Sequence, residues 1–297
     1  MTRILITGST GQVGGALVQT LTGMGNVFAP NRAELDLASP DSIRQVMRDF
    51  QPNWVINPAA YTAVDKAESE PDAAHAINTT SPAILGEEAA RIGAAVLHFS
   101  TDYVFDGAKP TPYVETDSTA PLNVYGSTKL AGEQALAASG AAYAVFRTSW
   151  VYGATGKNFL LTILRLARER ETLRIVGDQH GAPTWSHDLA SLAAHVIQRN
   201  PTPAAFKDLS GVYHATSSGE TTWAGFASEA IARLQAAEPS AKLATIEPIP
   251  TAEYPTPARR PHNSRLNCTR LTQTFGFTMP DWRDSLTKVL AQLPPQK

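Results

Sequence analysis

Short apolar, β-rich runs alternate with amphipathic stretches through most of the chain. Arg3 to Thr7, Asn26 to Ala29, Trp54 to Asn57, Ala95 to Phe99, Tyr143 to Thr148 and Gly211 to Ala215 read as strands. Between them, Ala16, Leu17, Val18 and Leu21 recur at helical spacing, and Ser39-Pro40-Asp41 opens a helix with a serine cap and a proline in the first turn. A further helix is expected from about 71 to 91, and another from Ser186 to Gln198. Strands alternating with helices predict a parallel sheet covered on both faces, with ligands at the carboxyl ends of its strands. After Thr148 the pattern changes. Gly156-Lys157-Asn158-Phe159 opens a long helix towards Glu171, with Phe159, Leu160, Ile163, Leu164 and Leu166 available for burial. The remainder is helix-rich and punctuated by Pro248, Pro250, Pro255, Pro257 and Pro261, which make stiff loops suited to the walls of a cleft.

Composition narrows the class without naming a chemistry. At 297 residues, 43% apolar and 18% charged, the chain is long enough for a main domain with a smaller lobe and reads as compact and globular. A net charge of −2 gives no electrostatic case for nucleic acid or an anionic membrane. No apolar run approaches the ~18 residues that would span a bilayer, and the chain enters Ile4-Leu5-Ile6 without a leader-like segment, so no membrane association is expected. Cys268 is the single cysteine, which excludes an internal disulfide and suits a reducing cytoplasm. The seven histidines form no close ligand pair, and no metal site is expected.

The candidate chemistry lies at strand ends. The first strand passes into Gly8-Ser9-Thr10-Gly11-Gln12-Val13-Gly14 and then a helix, a turn whose amides can approach a pyrophosphate closely because no Cβ intervenes. Its G-x-x-G-x-x-G spacing departs from the G-x-G-x-x-G of many dinucleotide sites. After the second strand stands Pro30-Asn31-Arg32, where an acidic residue would repel a 2′-phosphate; Arg32 suits NADPH, with NADH tolerated, and a solvated surface arginine is the alternative. Asp36 could reach an adenine amino group. Ala59 and Ala60 are small enough for a strand end to pass close to a ribose or nicotinamide. Thr101 ends the fourth strand, where its hydroxyl can meet a substrate carbonyl. Tyr125 and Lys129 are four apart on one helix face, so the ammonium is expected to lower the phenol pKa and hold the nicotinamide ribose. Together these residues specify a carbonyl reduction in which Tyr125 protonates the developing alkoxide. The expected fold is α/β, a Rossmann-type doubly wound parallel sheet from 1–150 plus about 187–216. A smaller C-terminal substrate-binding lobe is expected from about 151–186 plus 217–297.

These residues resemble the extended short-chain dehydrogenase/reductases, and within them the dTDP-4-dehydrorhamnose reductases. The resemblance is carried by Gly8 to Gly14, Asn57 to Asp65, Ser100-Thr101-Asp102-Tyr103-Val104-Phe105-Asp106-Gly107, Pro121 to Glu133, Phe146 to Tyr152, Asp178 to Thr184 and Tyr254 to Pro261. It implies that Gly11, Gln12 and Val13 hold cofactor phosphates, Asp36 and Leu37 the adenine end, and Ala59, Ala60 and Tyr61 the middle. It further implies that Tyr125 is the proton donor and Lys129 its partner, with Thr101, Asp102, Tyr103 and Trp150 facing the sugar nucleotide dTDP-4-dehydro-L-rhamnose. Asn57-Pro58 stands where the family often has Asn-Ala. Some members use acidic residues for Mg²⁺ where this chain reads Ser186-His187-Asp188, so no such metal is expected here. Another sugar-nucleotide reductase or epimerase, and a non-catalytic subunit like that of methionine adenosyltransferase, are the alternatives. Arg259 and Arg260 are candidates for the substrate diphosphate, with a surface ion pair as the competing reading; a homodimer is left open.

Overall fold

A computed structural model describes residues 1–200 and 202–293; the final stretch of the expected small lobe, 294–297, lies outside the described residues. The main sheet contains β1 (Arg3–Ile6), β2 (Asn26–Phe28), β3 (Trp54–Asn57), β4 (Ala95–Thr101), β5 (Ala142–Thr148) and the edge strand Gly211–His214. Across the sheet the order is edge strand, β5, β4, β3, β1, β2, and every pairing is parallel.

Alternation along these strands explains why they read as continuous apolar runs. Ile4, Ile6, Trp54, Ile56, Leu97 and Phe146 point into one cluster, under the helices Gln12–Leu21 and Ser186–Arg199. Leu5, Val55, Val96 and Val145 point into the other, under Pro40–Phe50 and Ser81–Ile92. Both faces are covered. The direction of strand addition reverses between β1 and β3, which opens a crevice at their carboxyl ends.

The helix expected from about 71 to 91 is present as a continuous run with a π turn, Ala76–Thr80, at its centre. Pro82 has no N–H to give the Asn78 carbonyl, as an α-helix requires. That carbonyl faces Gly132 of the helix Val124–Ala138, where a Cβ would stand 2.0 Å from it. The two helices therefore pack backbone to backbone.

A second set of clusters is built from the helices Phe159–Glu169, Trp223–Ala237 and Trp282–Leu290. A parallel strand pair, Thr172–Val176 with Thr245–Ile249, lies beside them. Leu271, Phe275 and Met279, which lie in the segment expected for the small lobe, pack in the main-sheet cluster. The Phe275 ring lies 4.8 Å from Tyr213 of the edge strand and covers an apolar edge that would otherwise meet water. Trp282, Leu286 and Val289 then return to the second set of clusters.

Candidate active site

The turn after β1 is shaped by glycine at particular places. Gly8 has φ of +56°, and a Cβ there would stand 3.0 Å from Ala59 in the turn after β3. A Cβ on Gly14 would stand 2.0 Å from the Gly8 carbonyl oxygen. Gly11 precedes the helix Gln12–Leu21 with no side-chain cap, so the first helical amides are left for an anion. This cradle fits a dinucleotide pyrophosphate. Gln12 also ties the turn to the helix Phe159–Glu169, its Oε1 accepting at 3.0 Å from Nδ2 of Asn158, which caps that helix.

A cavity of about 1060 Å³ runs along the carboxyl edge of the sheet. Taken in strand order it is lined by Arg32, Asp36 and Leu37 after β2, Gly8, Gly11, Gln12, Val13 and Gly14 after β1, and Ala59, Ala60 and Tyr61 after β3. Thr101, Asp102 and Tyr103 follow at the end of β4 and Trp150 after β5, with Tyr125 and Lys129 from the helix Val124–Ala138. The structure thus gathers every one of these candidates into one cleft. Asp36 Oδ1 also accepts from the Ala38 amide at 3.0 Å, which fixes its loop. Arg259 and Arg260 are not among the residues that line the cavity. The Arg260 guanidinium instead donates to both Asp65 carboxylate oxygens, at 3.1 and 2.8 Å, and holds that carboxyl below its usual range.

Tyr125 sits in the first turn of its helix, where Asn123 accepts from the Gly126 amide at 2.8 Å. A Cβ on Gly126 would stand 2.2 Å from the Tyr103 carbonyl, so the helix start rests directly on the turn after Thr101. The rings of Tyr103 and Tyr125 meet edge to face at 5.7 Å. Burial pushes the Tyr125 hydroxyl up to about 12, with the Thr101 hydroxyl opposing the rise and the Asp102 carboxyl adding to it. Burial likewise raises Asp102 to about 7, with Ser264 and Thr101 opposing. Asp102 Oδ1 accepts from the Thr101 hydroxyl at 3.1 Å, while Oδ2 is buried without a partner in hydrogen-bonding geometry.

The expected influence of Lys129 on the phenol is corrected. Its Nζ donates to the Phe99 carbonyl at 2.7 Å and lies 3.1 Å from His98 Nε2, so the charge is held on the β4 edge. Burial lowers Lys129 to about 8, with Glu133 opposing. Tyr125 therefore stays protonated at neutral pH, the form a proton donor needs. One turn further, Glu133 accepts from Arg147 at 2.7 Å and from Ser100 at 2.5 Å, a buried pair that ties the helix to β4 and β5.

Sequence reasoning missed His98 and Trp223. Trp223, at the start of the helix Trp223–Ala237, stacks on Trp150 with centroids 3.8 Å apart, and both line the cavity. Trp150 holds a φ of +49°, and a Cβ on Gly181 would stand 2.8 Å from its ring. The only local signal for Trp223 is an aromatic at a helix start, which core packing also explains. Among the described residues no group of three or more His, Cys, Asp or Glu is placed to hold a metal ion, and no helix is long and apolar enough to cross a membrane.

A glycine cradle at a β1/β3 crevice, joined along one edge to Thr101, Tyr125 and Lys129, is the layout of an extended short-chain dehydrogenase/reductase. The chain belongs to the dTDP-4-dehydrorhamnose reductase family: the family model described as the RmlD substrate binding domain matches residues 1–294. It is 48% identical over 286 residues to dTDP-4-dehydrorhamnose reductase of Burkholderia thailandensis, covering 95% of each chain. It is 45% identical to the enzyme of Escherichia coli, covering 98% of this chain and 97% of that one. Among solved structures, dTDP-4-dehydrorhamnose reductase of Bacillus anthracis in complex with NADP aligns with a TM-score of 0.90 at 33% identity, covering 98% of this chain and 100% of that chain.

Proposed function

We propose that this protein reduces the C4 ketone of dTDP-4-dehydro-L-rhamnose to dTDP-L-rhamnose with NADPH, and accepts NADH as well. The observation that carries the reading is the convergence of Tyr125, Thr101 and Lys129 on one cavity with a glycine cradle, in a chain whose B. anthracis relative binds NADP. When bound, the cofactor supplies the hydride. Gly8, Gly11 to Gly14 and the uncapped helix amides hold its phosphates, Arg32 meets the 2′-phosphate, and Ala59, Ala60 and Tyr61 pass close to its middle.

The chain's own residues do the rest. Thr101 orients the carbonyl oxygen beside Tyr125, so the donor and acceptor of the proton start within reach. Tyr125 gives its proton to the oxygen as charge develops there, and the raised pKa favours the phenol that must be present at the start. An alkoxide is a stronger base than a phenolate, so the transfer runs downhill. Lys129 holds the cofactor ribose from the β4 edge. Asp102, Tyr103 and the stacked Trp150 and Trp223 bound the sugar-nucleotide side.

The same reading divides the chain into a sheet domain and a small lobe that closes the substrate side, with Leu271 to Met279 assigned to the sheet. It places the enzyme in the cytoplasm, where its single cysteine suits a reducing milieu. A homodimer is the oligomeric state to compare with the measured mass in light scattering. The test of function is direct: purified protein is mixed with dTDP-4-dehydro-L-rhamnose and either NADPH or NADH, and absorbance of the reduced nicotinamide is followed. Turnover supports the reading, and no oxidation of either cofactor would sink it.

A further inference from the structure

We propose that His98 is a positioning residue for this reduction, holding the Lys129 nitrogen at the β4 edge as a member of a buried hydrogen-bond chain from Thr7 through Asn57. The proposal rests on the reductase reading given above. The Thr7 hydroxyl lies 2.6 Å from one end of the Asn57 side-chain amide, the other end of that amide lies 3.0 Å from His98 Nδ1, and His98 Nε2 lies 3.1 Å from Lys129 Nζ. A neutral imidazole has one bare nitrogen, so with Nε2 accepting from the ammonium, Nδ1 carries the proton and donates it to the Asn57 amide oxygen, and the amide nitrogen faces Thr7. Thr7, Asn57, His98 and Lys129 are all buried.

The placement of this chain gives it a purpose beyond packing. Thr7 follows β1 and directly precedes the phosphate turn, Asn57 ends β3, and His98 is its register partner on β4. The chain therefore runs across three neighbouring strands and stops on the helix that carries Tyr125. A lysine has a long flexible stem, and fixing it costs rotamer entropy. The Phe99 carbonyl at 2.7 Å is one anchor. With that anchor alone the nitrogen can pivot; a second contact from His98 fixes the direction of the N–H left for a ligand in the cavity that Lys129 lines.

The ring itself cannot turn freely. Both of its nitrogens are engaged, so a ring flip would replace each contact with a C–H group. Burial pushes the imidazole well below its ordinary value, the Lys129 charge adding to the effect and the Asn57 backbone opposing it, so the ring is neutral beside the lysine. His98 does not line the cavity and acts through Lys129.

The test compares His98→Leu with His98→Gln, whose amide retains a polar contact for the lysine. Loss of one of two anchors is expected to lower kcat about 10-fold or more in the Leu variant, with KM for the sugar nucleotide within about twofold and any weakening of binding confined to NADPH, and Gln should recover most of the loss. Adding His98→Leu to Lys129→Met should lower kcat no further, because the group acted through is gone. A further loss as large as that seen in the wild-type background would overturn the proposal, as would wild-type kcat in His98→Leu. Thr7→Val conserves shape and serves where the Leu variant does not fold. It should lower kcat by about two- to threefold with NADPH affinity unchanged, since it loosens the far end of the chain, and an unchanged kcat would count against the proposal. Wild-type turnover is measured alongside. Its absence would overturn the reductase reading itself, whereas an active wild type with unaffected variants would overturn the role of His98.

Discussion

In Gly14→Ala the added methyl carbon would stand 2.0 Å from the Gly8 carbonyl oxygen and 2.6 Å from its carbon, where real contacts of this kind stay above 3.0 Å. Neither neighbour is a flexible side chain. The helix Gln12–Leu21 and the phosphate turn must separate by roughly 1 Å, and the amides aimed at the pyrophosphate move with them. Alanine favours a helix over glycine by ~1 kcal/mol, while overpacking of this sort costs ~1–3 kcal/mol, so a net loss on the order of 1 kcal/mol is expected. Misplacement by ~1 Å of the groups that hold a ligand can cost ~100-fold in function. The neighbouring residue supplies the control. A Cβ on Gly15 would meet nothing nearer than the Ser9 carbonyl oxygen at 3.6 Å, an ordinary contact. Gly15→Ala should therefore bind NADPH as the wild type does and melt at the same or a slightly higher temperature. Thermal denaturation and titration of NADPH fluorescence measure both quantities. Wild-type NADPH affinity in Gly14→Ala would refute the claim that close backbone approach at this turn makes the cofactor site.

Tyr125→Phe keeps the ring and removes the proton, so single-turnover rates should fall by ~100-fold or more while NADPH affinity stays within about twofold; an undiminished rate would remove Tyr125 from the mechanism. Arg32→Ala should weaken NADPH and leave NADH nearly untouched, and equal weakening of both in parallel titrations would show that Arg32 does not read the 2′-phosphate. Asp102 has its folded pKa raised from 3.8 to about 7, so its contribution to stability is fully present below about 3.8 and is lost as pH rises through about 7. Asp102→Asn should accordingly gain stability relative to wild type between pH 4 and pH 8 in urea titrations, by an amount on the order of a few kcal/mol. A pH-independent difference would place the charge of Asp102 outside this balance.

Local chemistry made much of the site legible, and pairings distant along the chain set what was not. The turn from Gly8 to Gly14 and the Tyr125–Lys129 spacing are contiguous patterns, and the carboxyl-edge rule places Thr101 beside them. The effect of Lys129 on Tyr125 could not be read from that spacing. It depends on His98 and the Phe99 carbonyl, which reach the lysine from a neighbouring strand. Arg260 looked available because Asp65, its partner, lies far away in sequence. The same reason hid the stacking of Trp223 on Trp150. The segment around Phe275 carries no local sign of the surface it covers, which is the apolar edge of the main sheet.

The central claim is that hydride reaches C4 of the sugar while Tyr125 supplies the proton. Protein incubated with dTDP-4-dehydro-L-rhamnose and NADPH deuterated at the transferring position provides the most direct measurement, with the product read by NMR and mass spectrometry. The account predicts one deuterium per product molecule, at C4, formed in step with NADPH oxidation and lost as an activity in Tyr125→Phe. Unlabelled product, or label at any other carbon, would contradict it.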